Sequence, residues 1–192
     1  MLTINFVTTN SHKFAVAQNF FKKANLLGII TLRQYSLETL EIQANSVQEV
    51  AQNSAKWVGA QLGQPVVVAD AGLAIKALNG FPGPYMKYMN DTLTITDVIA
   101  MLENKESRVA DFIDALAYYD PATGTSRVFT SITPGNIATS PARKEGSVVD
   151  RLFVPDGWDV PLADLTDDDR TSVWNTSRWQ QLTEFLQEES QK

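Results

Sequence analysis

An α/β fold, with a central mixed β-sheet flanked by helices, is what this 192-residue sequence predicts. Three observations lead there. Strand-like runs alternate with helix-period segments through the first half of the chain. In the second half, two strand-like runs flank Asp120-Pro-Ala-Thr-Gly124, a turn composition, as in a hairpin. The run at residues 65–69 is apolar without alternation, which signals a strand buried on both faces.

The elements follow in order. Residues 2–7 (LTINFV) read as a strand, and Thr8, Thr9, Asn10 and Ser11 then open a helix marked by Phe14, Ala17, Phe20, Phe21 and Ala24. A second strand is expected at 29–35. Ser46 and Glu49 have capping-box spacing, and Val47, Val50, Ala51, Ser54 and Val58 mark one face of a helix reaching about Leu62. The next strand is expected over 65–69, ending on Asp70. Asn79-Gly-Phe-Pro-Gly-Pro84 forms a turn leading into Tyr85, Lys87 and Tyr88. Ile95, Val98, Ile99 and Leu102 give a short helix that Thr94 caps. Strands are expected at 108–119 and 126–132, and one amphipathic helix at 167–187 presents Val173, Trp174, Leu182, Phe185 and Leu186.

Composition narrows the function classes. A 44% hydrophobic content over this length supports a sizeable core in a single domain spanning 1–192, without an evident linker. The net charge of −6 and the lack of a Lys/Arg stripe argue against a nucleic-acid partner. No cysteine is present, which rules out disulfides, thiolate catalysis and zinc–thiolate sites and points to a cytoplasmic setting. The N-terminus lacks a basic segment followed by a long apolar run, and no stretch reaches the roughly 18 apolar residues of a membrane span. The expectation is a soluble protein with no membrane partner.

The candidate chemistry lies in turns and at strand ends. Thr8 to Lys13 place hydroxyls, an amide and an ammonium at a helix N-terminus, where free N–H groups favour phosphate. On pattern alone, ordinary helix capping is the more common reading of the same residues. His12, the only histidine, reads as a solvated side chain in a polar turn rather than part of a catalytic triad. Glu41, Asp70 and Asp150 each adjoin an apolar segment, so each is a candidate for a cleft; oxygen ligands of this kind suit Mg²⁺ when phosphate oxygens complete its shell. Turn capping by Asp70 and plain surface roles for the other two remain open.

Taken together, TTNSHK, the LEIQ segment around Glu41, VVADAGLAIKALNGFPGPYMKYM, the DRLFVPDGWDVPLADLTDDDR stretch and the closing helix resemble the Ham1 family of inosine triphosphate pyrophosphatases, over nearly the whole chain and in the same order. The resemblance implies an elongated, two-lobed α/β fold and usually a homodimer. It also implies Mg²⁺-dependent hydrolysis of ITP, dITP or XTP to the monophosphate and pyrophosphate. Thr8, Asn10 and Lys13 match the phosphate-binding opening, Glu41 the metal-binding glutamate, and Asp70 the aspartate that binds metal or activates water. Lys87 matches the phosphate-binding lysine after the PGxY turn. Arg170 stands at a lysine position, keeping the charge and changing its shape.

Departures cluster on the base side. Ala69-Asp70-Ala71-Gly72 replaces the usual Asp-Asp-Ser-Gly, removing one acid and one hydroxyl. Gly146-Ser-Val-Val-Asp150-Arg151 keeps only Asp150 of the glycine-rich stretch that normally carries the base-stacking aromatic. The Ser-His-Arg signature falls on Trp174-Asn175-Thr176, where Trp174 either offers a replacement stacking surface or belongs to the core face of the last helix or to a dimer contact. An altered base preference is therefore expected. The alternatives are a non-catalytic nucleotide-binding or dimeric interaction protein on the same fold, and a Maf-like pyrophosphatase acting on a different base.

Overall fold

A computed structural model describes residues 2–191. Strand β1 (Leu2–Val7) leads into helix α1 (Ser11–Lys23), followed by β2 (Ile30–Tyr35), α2 (Val47–Leu62) and β3 (Val66–Ile75). A short 3₁₀ turn (Lys76–Leu78) precedes β4 (Pro82–Gly83), α3 (Met86–Thr92) and α4 (Ile95–Met101). The long strands β5 (Val109–Asp120) and β6 (Thr125–Ile137) come next, then α5 (Val148–Leu152), β7 (Phe153–Pro155), α6 (Asp167–Ser172) and α7 (Ser177–Glu189).

Among the described residues the strands form one seven-stranded mixed sheet in the order β2-β1-β3-β5-β6-β7, with β4 pairing β3. β1 runs parallel to β2 from Leu2↔Ile30 to Val7↔Tyr35 and parallel to β3 from Asn5↔Val66 to Val7↔Val68. β4 pairs antiparallel with β3 through Ala74↔Pro82, and β7 antiparallel with β6 through Gly135↔Pro155. That last register leaves no room for a side chain at Gly135, where a Cβ would meet Val154 O at 2.3 Å.

The chain divides into two compact units. The first comprises Met1–Asp70, Asp114–Ser131 and Thr176–Lys192. Its core joins Ile4 and Phe6 of β1, Phe21 of α1, Leu116 of β5 and Trp179, Leu182 and Leu186 of α7. Trp179 anchors it, meeting Phe6 edge-on at 5.5 Å and lying parallel to Phe20 at 6.0 Å. The second unit comprises Ala71–Ile113 and Ile132–Asn175 and packs around Leu73, Ile75, Met89, Leu102, Ile137, Leu152 and Phe153.

Caps form largely where the sequence signals them. Thr94 and Asp97 close a full capping box on α4. Ser46 Oγ accepts from Glu49 N at 3.3 Å, but the Glu49 carboxylate accepts from Asn45 N, so the expected box on α2 is shifted by one residue.

Three expected boundaries need correction. β3 does not stop at Asp70 but continues to Ile75, because β4 pairs with it through Leu73↔Gly83 and Ala74↔Pro82 and β5 is its neighbour in the sheet. β6 extends to Ile137 rather than 132, held at its end by β7. The closing helix is two helices: Asn175 N donates to Thr133 Oγ1 at 2.9 Å and Asn175 Nδ2 to Ile132 O at 3.0 Å, so the backbone there serves β6 instead of continuing the helix.

Candidate functional site

In the first unit, β1 runs parallel to β2 and to β3 over Val66–Val68, so β1 and β2 end on one edge, where β3 runs on past its last β1 partner. In open α/β sheets this is where ligands bind. Thr8 leaves β1 there. Its N–H donates to Tyr35 O at 3.0 Å, its carbonyl accepts from Gln34 Nε2 at 3.0 Å, and its Oγ1 accepts from Asn10 N at 3.1 Å. Asn10 is the N-cap of α1, with Oδ1 accepting from His12 N at 2.9 Å and Lys13 N at 3.1 Å. The turn is thus fixed by its own side chains. It presents the exposed Lys13 in a first helical turn that carries no acidic residue.

Asp70 lies half-buried in β3, two residues beyond Val68, the last residue paired with β1. Glu41 is exposed on the connection that leaves the carboxyl end of β2; next to it, Leu40 O accepts from Ser54 Oγ at 3.2 Å. Among the described residues, no three His, Asp or Glu side chains stand together as a self-sufficient metal site. Glu41 and Asp70 offer hard oxygen donors only. That set fits Mg²⁺, which binds through one or two carboxylates and takes the rest of its shell from substrate phosphates and water.

Sequence reasoning missed a buried ion pair in this unit. Arg178, near the start of α7, places Nη2 3.3 Å from Asp114 Oδ1 of β5, with side chains only 14% and 15% exposed. Arg178 Nη1 also donates to Ser131 Oγ of β6 at 2.7 Å. Burial pushes the Asp114 carboxyl above the usual carboxylate range, against the opposing pull of Arg178 and then Lys13. Burial likewise draws the Arg178 guanidinium down from its ordinary value, opposed by Asp114. The available signal was an acid set between Phe112, Ile113, Ala115 and Leu116, a strand position that ordinarily takes an apolar residue.

The remaining candidates belong to the second unit. Lys87 is exposed at the second position of α3. Asp150 closes a capping box on α5 with Ser147, and its Oδ1 accepts from Arg170 Nη2 at 3.0 Å, so these two candidates are brought together. Trp174 packs against the core, with its ring 4.7 Å from Phe112. No helix among the described residues is long and apolar enough to cross a membrane.

The fold is α/β, with Lys13 and Glu41 beyond the carboxyl ends of β1 and β2 and Asp70 two residues past the β1 pairing of β3. Comparison gives the family. A model of the Ham1 family matches residues 4–182, and the chain belongs to that family. It is similar to a dITP/XTP pyrophosphatase of Methanopyrus kandleri, with 35% identity over 172 residues, 90% of this chain and 89% of the relative. It is also similar to a dITP/XTP pyrophosphatase of Thermococcus kodakarensis, with 33% identity over 184 residues, 96% and 95% of the two chains. A solved HAM1 protein from Coxiella burnetii shares the fold, with a TM-score of 0.82 covering 98% of this chain and 100% of that one at 24% identity.

Proposed function

We propose that the protein is a Mg²⁺-dependent nucleoside triphosphate pyrophosphatase that hydrolyses non-standard purine nucleoside triphosphates such as dITP, ITP and XTP to the monophosphate and pyrophosphate. The observation carrying this reading is the edge of the first unit, where the prearranged Thr8–Lys13 turn follows the end of β1 and Asp70 of β3 lies two residues beyond Val68, the last residue paired with β1. The names of the Methanopyrus and Thermococcus relatives support the substrate class.

In this reading the α1 N-terminus and Lys13 receive the polyphosphate tail, and Lys87 and Arg170 are further phosphate-binding candidates. Glu41 and Asp70 would hold Mg²⁺, which would supply charge neutralisation at the reacting phosphate. Asp70 orients the attacking water and takes its proton. The water oxygen bonds to the α-phosphorus, the bond to the bridging oxygen breaks, and pyrophosphate leaves with that electron pair. Asp150 and Trp174 act on the base side. The enzyme works as a cytoplasmic homodimer, which light scattering on the purified chain tests.

The decisive experiment offers purified protein and Mg²⁺ a panel of ITP, dITP, XTP, dUTP and the standard nucleotides while pyrophosphate release is followed. Release confined to ITP, dITP and XTP upholds the proposal, and chelation by EDTA stops it. Release from other bases changes the assigned substrate. A second reading, a non-catalytic nucleotide binder, draws on Ala69 and Ala71 flanking Asp70; binding without release across the panel favours it.

A further inference from the structure

Leu2 and Ile30 stand opposite each other where β1 and β2 begin, and both line a cavity of about 410 Å³ contained in the first unit. The Thr8–Lys13 turn follows the other end of β1. β1 has six residues, so roughly 17 Å of strand separates the cavity from the candidate nucleotide site. The volume is that of a small-molecule site rather than a packing defect.

The walls have a definite chemistry. Tyr118 of β5 contributes its ring, set edge-on to Phe185 at 5.4 Å. The residue is only 4% exposed, yet its hydroxyl has no hydrogen-bond partner among the described residues. A buried phenol ordinarily finds one, so this hydroxyl is left for a group that enters the cavity. Burial first, then the Asp120 and Glu189 carboxylates, push the phenol above its ordinary pKa, which keeps it neutral and able to accept as well as donate. Both acids line the same space. Asp120 Oδ1 accepts from Ala122 N at 2.9 Å and Oδ2 from Thr123 Oγ1 at 3.2 Å, so the turn fixes the carboxylate while lone pairs on both oxygens remain. Glu189 ends α7, whose last turn carries no basic residue, and the helix dipole adds negative potential there. Leu2 and Ile29, 40% and 47% exposed, supply an aliphatic face beside these acceptors.

We propose that this cavity is a second binding site, for a small aliphatic amine: its ammonium bonds to the Asp120 carboxylate and the Tyr118 hydroxyl, and its methylenes lie on Leu2 and Ile29. Acceptors beside an apolar face select against phosphates, which the acids repel, and against bare metal ions, which gain nothing from hydrocarbon. The site stands whether or not the chain hydrolyses nucleotides.

Diaminobutane is titrated calorimetrically into the full chain, with butanediol as the uncharged isostere. Wild type should bind the diamine and ignore the diol. Asp120→Asn keeps the Ala122 contact and should weaken binding roughly tenfold, and Tyr118→Phe, which removes only the hydroxyl, should weaken it several-fold. Glu103→Gln, at an exposed acid of the second unit, should leave binding unchanged. A loss there equal to that in Asp120→Asn overturns the proposal, since net charge alone then accounts for the uptake. So do equal binding of the diol, calcium ion binding as tightly as the diamine, unaltered affinity in Asp120→Asn, and a wild-type chain that takes up no diamine at millimolar concentration. Should Tyr118→Phe fail to fold, Ile29→Ser at the exposed rim replaces it, and unaltered affinity in that variant overturns the site.

Discussion

Arg170 Nη2 donates to Asp150 Oδ1 at 3.0 Å, so two side chains that the sequence assigns separately to the ligand hold each other. Asp150 also accepts from Ser147 Oγ at 2.8 Å and Ser147 N at 3.2 Å, locking the start of α5. Asp150→Ala should therefore lower unfolding free energy by about 1 kcal/mol through the lost cap. The ion pair adds less, because its side chains remain 31% and 40% exposed. Urea titrations of Asp150→Ala and Arg170→Ala measure the two effects, and a larger loss in the arginine variant contradicts this ranking.

Asp70→Asn should reduce turnover at least about a hundredfold, the scale of a lost general base, while circular dichroism and melting temperature stay near wild type. β3 is held by its backbone pairing and by Val66, Val67, Leu73 and Ile75, all buried, so the neutral amide leaves the strand in place. Wild-type turnover in this variant removes Asp70 from the role.

How far the sequence foretold the protein depends on whether an element's cause is local. α1, α2 and α4 begin where Asn10, Ser46 and Thr94 stand, since a cap is a contact between residues three or fewer apart. The far end of β3 and the break before α7 answer to partners distant in the chain, β4 and β5 in one case and Thr133 in the other, and no local pattern announces them. The site follows the same division. The Thr8–Lys13 turn is readable from its own residues, whereas Asp114, Ser131 and Arg178 come from three separate elements, and each alone reads as an ordinary polar side chain.

The pH dependence of stability should have two limbs of opposite sign. Asp114 binds its proton more tightly folded than unfolded, so its contribution is full below the ordinary carboxylate pKa and is lost as pH rises through the higher folded value. Asp164 is the reverse. The Lys144 and Arg143 backbone amides donate to its carboxylate and lower its pKa, so its contribution is present above the ordinary value and lost as pH falls through the folded one. Urea midpoints across pH should show the decline towards neutrality flattened in Asp114→Asn and the acid-side decline flattened in Asp164→Asn. Unchanged slopes in either variant contradict the assignment.

Trp174→Ala should cost about 2 kcal/mol or more of stability, because the indole packs on Phe112 and the surrounding core. Trp174→Phe should recover much of it. If the ring also stacks on the purine, KM for ITP rises in Trp174→Ala, and the phenylalanine variant restores it as well. A stability loss with unchanged KM confines Trp174 to packing.

The first turn of α1 carries Lys13 at the positive end of the helix dipole, with no acid nearby in that turn to temper it. Electrolyte choice then becomes an experimental variable in its own right. Sulfate or phosphate buffers should raise the melting temperature above that in chloride at equal ionic strength, and should slow nucleotide turnover by competing for Lys13 and the positive end of the dipole. Screens run in phosphate would understate the enzyme.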